Sequence, residues 1–108
     1  MTEVPEIIER LRQTINRGDT EGFLAFFPDD GVVEDWGRRF AGHAAIRKWS
    51  DKELIGAKGT LTITKVLSRT ATMVALEADW ASNFCTGPGH FEFIIEGDKI
   101  LSMRISES

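Results

Sequence analysis

The hydrophobic period of this chain changes near residue 60, and that change decides its fold class. Upstream, Val4, Ile7, Ile8, Leu11 and Ile15 recur at i, i+3, i+4 and i+7. They predict an amphipathic helix over roughly residues 4–17, with Pro5 in its first turn and Gly18 as its stop. Asp19 then offers an N-cap oxygen to a short helix carrying Phe23, Leu24, Phe26 and Phe27, which Pro28 must end. An extended run comes next, from Val32 to Trp36, with Gly37, Arg38 and Arg39 expected in a turn or loop. From Gly42 the segment HAAIRKWSDKEL predicts a third helix with Ile46 and Trp49 on one face.

Downstream the period is two. Leu61 and Ile63 alternate with threonines. Val74, Leu76, Ala78 and Trp80 alternate with Met73, Ala75, Glu77 and Asp79, and Phe91, Phe93 and Ile95 alternate with His90, Glu92 and Ile94. Four antiparallel strands in sequence are expected. A three-residue loop Glu96-Gly97-Asp98 would set Phe93 opposite Leu101, Phe91 opposite Met103 and His90 opposite Arg104. Helices first and a strand meander after them make an α+β domain, its helices packed on one face of a curved sheet. With 108 residues, 42% of them apolar, the chain reads as a single domain, 1–108, that fills a core without disulfides.

Composition closes off several function classes. Thirteen basic against seventeen acidic residues give a net charge of −4, with no Lys/Arg run, so neither nucleic acid nor an anionic membrane is an expected partner. One cysteine, Cys85, and two histidines, His43 and His90, do not make a zinc-spaced set, and no metal or cofactor is expected. No GxGxxG or GxxxxGK phosphate loop is present. The N-terminal MTEVPEIIERLR shows no basic stretch leading into an apolar one, so a cytoplasmic location is expected. The chain has no tyrosine, which removes every mechanism that needs a phenol.

The segments NRGDTEGFLAFFPDD, VVEDWG, FAGHAAIRKW and GHFEFIIEGDKILSMRI together resemble the nuclear transport factor 2-like superfamily, in its SnoaL-like and ketosteroid isomerase branch. The resemblance covers nearly the whole chain. It implies a cystatin-like α+β barrel, a cone with an internal pocket for a hydrophobic small molecule, and a homodimer formed through the other face of the sheet. By the same resemblance Asp35, the acid of VVED, matches the general base of ketosteroid isomerase. That enzyme's oxyanion hole, a Tyr on the first helix and a protonated Asp before a His-Phe pair, falls here on Leu11 and Gly89. Steroid isomerisation by that route is therefore not expected.

The residues then divide into candidates. Asp35 is the candidate base, or alternatively a cap on the turn at Gly37. His43, at the start of the third helix, is the candidate donor to a substrate oxygen. Trp36, Trp49, Trp80, Asn83, Phe91 and Met103 are candidate substrate-binding residues, the indoles offering flat contact area. Arg38 and Arg39 are solvated charges, or a fork for a substrate carboxylate. Three functions stay open: an isomerase, cyclase or dehydratase-like enzyme, a non-catalytic small-molecule binder, and a dimeric interaction module.

Overall fold

The computed structural model describes residues 4–107. Helix α1 runs Glu6–Asn16, α2 Thr20–Ala25 and α3 His43–Glu53. The strands are β1 Val32–Asp35, β2 Arg38–Ala41, β3 Thr60–Arg69, β4 Met73–Ala81, β5 Thr86–Glu96 and β6 Lys99–Ser106. All six lie in one sheet, ordered β2-β1-β6-β5-β4-β3. The sheet ends at β2 and β3 and does not close into the expected barrel.

The helical hairpin is built from signals visible in the sequence. Gly18 takes φ +75°, and the amides of Gly18 and Asp19 return to the carbonyls of Ile15 and Thr14, which ends α1 in a Schellman motif. The Asp19 side chain immediately starts α2 by accepting from the Gly22 amide at 2.9 Å. Ile8, Leu11 and Ile15 of α1 are buried with Phe23 and Phe27, whose rings meet edge to face. Each of these fully buried side chains contributes about 1.5–3 kcal/mol to the packing of helices on sheet.

Two departures from the expected register shape the site. Trp36 and Gly37 both take positive φ, +52° and +83°, the pattern of a two-residue hairpin turn with both central residues left-handed. Arg38 and Arg39 therefore belong to β2 and not to a loop, and Asp35 faces Arg38 across the turn. At the other end of the sheet Glu96 pairs with Lys99 around a two-residue Gly97-Asp98 turn. A bulge at Leu101 then absorbs the extra residue: Ile95 pairs with Ile100, but Ile94 pairs with Ser102. Phe93 thus meets Met103 and Phe91 meets Ile105, while His90 lies opposite Ser106 and Glu92 opposite Arg104. The inward face keeps Phe91, Phe93 and Met103 as expected, but Ile100 takes the core place assigned to Leu101. Strand β1 lies parallel to β6, with Asp35 beside Ile105.

Candidate functional site

The β1–β2 turn and α3 together make the site. Because the turn is only two residues long, Asp35 and Arg38 are a directly opposed cross-strand pair. On α3, Trp49 and Glu53 are four residues apart and so share the face turned to that pair. All four side chains converge. The Trp49 indole N–H donates to Asp35 Oδ2 at 3.0 Å, and Arg38 Nη2 donates to the same oxygen at 2.7 Å. Arg38 also forks onto Glu53, Nη1 to Oε2 at 2.9 Å and Nη2 to Oε1 at 2.6 Å, and its Nε reaches the Asp35 carbonyl at 3.3 Å.

The arrangement is held from behind. The Arg38 guanidinium lies over the Phe40 ring, 5.6 Å from its centroid, and Phe40 stacks on Trp49 at 5.9 Å. Hydrogen bonding from Arg38 holds the Glu53 carboxyl below the usual carboxylate range, against the opposing effect of its burial. The same bonds with Glu53 raise the proton affinity of Arg38. Asp35 is only 9% exposed, yet both bonds to its carboxylate go to Oδ2. Among the described residues Oδ1 has no hydrogen-bond partner.

Beside this cluster is a cavity of about 350 Å³. Asp35, Arg38 and Glu53 form its polar end, and Trp49, Leu54, Trp80, Phe91 and Ile105 its apolar wall. Trp36 and Phe84, 60% and 53% exposed, stand at its rim, and Cys85 to Gly89 complete the lining along the start of β5. Trp80 owes its position to Gly59, since a Cβ there would collide with the indole ring. Turn-forming Ser82 accepts the amides of Phe84 and Cys85 at 3.1 Å each, which fixes the loop carrying Phe84.

Of the residues singled out from sequence, Asp35, Trp36, Trp49, Trp80 and Phe91 line this cavity. The other three do not. His43 Nε2 lies 2.8 Å from the Phe27 carbonyl, and because a carbonyl only accepts, that nitrogen carries the proton and is spent on the α2 end. Asn83 is exposed, its amide bonded to the Ala57 carbonyl at 2.9 Å. Met103 is 1% exposed and belongs to the core. Leu11 is likewise core, whereas Gly89 lines the cavity without a side chain.

Glu53 is the site residue that sequence reasoning misses. Its spacing of four from Trp49 is a usable signal, because whatever surface Trp49 faces, Glu53 faces one turn later. Phe40 and Phe84 carry no signal beyond being aromatic. Among the described residues no group of three or more His, Cys, Asp or Glu side chains is placed to hold a metal ion. No helix there is long and apolar enough to cross a membrane.

No protein-family model matches the sequence, and no curated protein does. Solved structures do resemble this one. A Mycobacterium tuberculosis protein solved in complex with estradiol-17beta-hemisuccinate superposes with a TM-score of 0.84 at 20% identity, over 94% of this chain and 91% of that one. The Delta 5-3-ketosteroid isomerase of a Mycobacterium species gives 0.83 at 21% identity, over 94% and 90%. SalBIII, an epoxide hydrolase/cyclase-like enzyme of pyran ring formation in the polyether salinomycin, gives 0.83 at 20% identity, over 93% and 86%. The chain has the nuclear transport factor 2-like fold, and its structural neighbours include both an isomerase and a cyclase.

Proposed function

We propose that this chain binds a hydrophobic small molecule in the cavity and moves a proton on it, with Asp35 Oδ1 as the proton acceptor. One observation carries the reading. A carboxylate whose Oδ2 is fixed by Trp49 and Arg38 keeps Oδ1 unpartnered at the edge of an aromatic cavity. Fixing one oxygen orients the other, which is the geometric requirement for a general base. The neighbours' chemistry, isomerisation and cyclisation, supports the reaction class of isomerase, cyclase or dehydratase type.

In this mechanism a carbon-bound proton of the ligand passes to Oδ1, and the electron pair it leaves moves into the ligand. Asp35 then returns the proton to a second carbon, or to a leaving hydroxyl. His43 takes no part, since its Nε2–H is engaged with Phe27. The general base step contributes about 10²–10⁴-fold to rate. Asp35→Asn should therefore lower turnover by that factor. The assay is a panel of enolisable and dehydratable small molecules; wild-type turnover that is unchanged in Asp35→Asn removes Asp35 from the mechanism.

A binder without catalysis is the second reading. It is favoured by the engagement of Arg38, whose nitrogens spend four of their five N–H donors on Asp35 and Glu53 and leave a single Nη1 N–H for a developing oxyanion. Tight binding without turnover in the same panel selects it. In either reading the outer face of the sheet, where Met73 and Ile94 are 42% and 36% exposed, seats a second copy of the chain.

A further inference from the structure

We infer that the ligand of this cavity carries a positively charged nitrogen. The inference rests on the reading of the cavity as a ligand site and adds the class of ligand.

The charges lining the cavity are two carboxylates, Asp35 and Glu53, against one guanidinium, Arg38. Both carboxylates are nine-tenths buried, whereas Arg38 has half of its side chain in water. The guanidinium is committed to them through Nη1 and Nη2, and its Nε donates to the Asp35 carbonyl. The net charge left over is negative, and it is not spread evenly: among the described residues Asp35 Oδ1 is the carboxylate oxygen at this end with no hydrogen-bond partner. Lys52, on α3 beside Glu53, adds positive charge from outside the lining and acts on Glu53. An anionic ligand group entering here meets two buried carboxylates and a guanidinium that already spends four of its five N–H donors on Asp35 and Glu53. A cationic N–H meets a fixed carboxylate with one oxygen still free to accept.

The walls point the same way. Trp36, Trp49, Trp80, Phe84 and Phe91 put five aromatic rings around the space, and ring faces attract a cation as well as covering apolar surface. Charge and walls therefore select the same head group on a hydrophobic body.

This composition also answers the chemical difficulty of the site. With Leu11 in the core and only hydrogen at Gly89, neither of these two positions supplies a side-chain donor to hold an enolate oxygen. A ligand with a protonated imine is its own electron sink. When its adjacent C–H bond breaks, the proton goes to Asp35 Oδ1, the C–H electrons form the C=C bond, and the C=N π pair settles on nitrogen. The products are a neutral enamine and the acid form of Asp35, so charge and electrons balance within the pair.

The test is a titration of the full chain, by calorimetry at neutral pH, with tryptamine, tryptophol and indole-propionate. These share one indole and differ in carrying an ammonium, a hydroxyl or a carboxylate. The indole N–H resonance of Trp49, which donates to Asp35, reports occupancy of this cavity. Tryptamine should bind tightest and indole-propionate weakest, with at least about a tenfold span, equal to about 1.4 kcal/mol. Asp35→Asn should collapse the span. Added salt should narrow it in the wild type, a readout that stands if the variant does not fold. Indole-propionate binding as tightly as tryptamine overturns the cationic ligand and leaves the cavity reading intact. Failure of all three to bind or to move the Trp49 resonance overturns the cavity reading and this inference with it.

Discussion

Replacing Arg38 by Met tests whether the cluster is an energetic unit. The substitution keeps an apolar stem over Phe40 but leaves Asp35 and Glu53, both buried, facing one another without the cation that both now bond. Breaking a buried pair costs about 3–5 kcal/mol, because the remaining charge is stranded. Half of the Arg38 side chain is solvent-exposed, so water screens part of that and about 2–3 kcal/mol is the expected loss. For a chain of 108 residues this lowers the unfolding midpoint by about 8–12 °C. The pH dependence has a definite sign. Arg38 depresses the Glu53 carboxyl in the folded state, so the stability it contributes is present above the ordinary value of 4.5 and is lost as pH falls through the lower folded value. The gap between wild type and Arg38→Met is therefore widest at neutral pH and closes on acidification. Adding Glu53→Gln to Arg38→Met removes the repulsion and should recover at least about 1 kcal/mol. Thermal unfolding followed by near-ultraviolet circular dichroism, repeated across pH, measures all of this. A midpoint unchanged at neutral pH, or a gap that persists in acid, refutes the coupling.

Two further outcomes are expected. Trp36 holds a bulky side chain in the left-handed region, which costs about 1–2 kcal/mol, so Trp36→Gly should leave thermal stability within about 1 kcal/mol of wild type while weakening tryptamine binding several-fold. A marked loss of stability with unchanged binding would make Trp36 a structural residue. In light scattering the chain should show twice its 12.1 kDa mass, and Ile94→Lys on the outer face should return it to one chain; a wild type at 12.1 kDa at high protein concentration counts against the second copy.

The parts of the fold legible in the sequence are those decided locally. The change of period at residue 60, the Gly18 stop and the Asp19 cap each depend on a few neighbouring residues, and each is found in place. The register of the last hairpin is not decidable that way. Ile100 and Leu101 are both apolar, so alternation alone leaves open which of them turns inward; the Gly97-Asp98 turn and the bulge choose Ile100. The β1–β2 turn is hidden for a different reason. Left-handed pairs are ordinarily Asn-Gly or Asp-Gly, and Trp-Gly carries no such signal.

That hidden turn explains why the candidate site is only half legible. Asp35 stands out as an acid at a strand end, but its partner is set by turn length: a residue more in the turn and Arg38 would no longer oppose it. Once Arg38 is fixed, Glu53 is determined too, because a guanidinium held over Phe40 presents its remaining donors to α3, where Trp49 and Glu53 share one face. The cluster is therefore nucleated by the backbone conformation of Trp36 and Gly37, at the rim of the cavity it serves. Strain kept in a bulky residue at such a place is retained where the surrounding structure uses it, and here it sets both the pairing of Asp35 and the position of an exposed ring at the rim of the cavity.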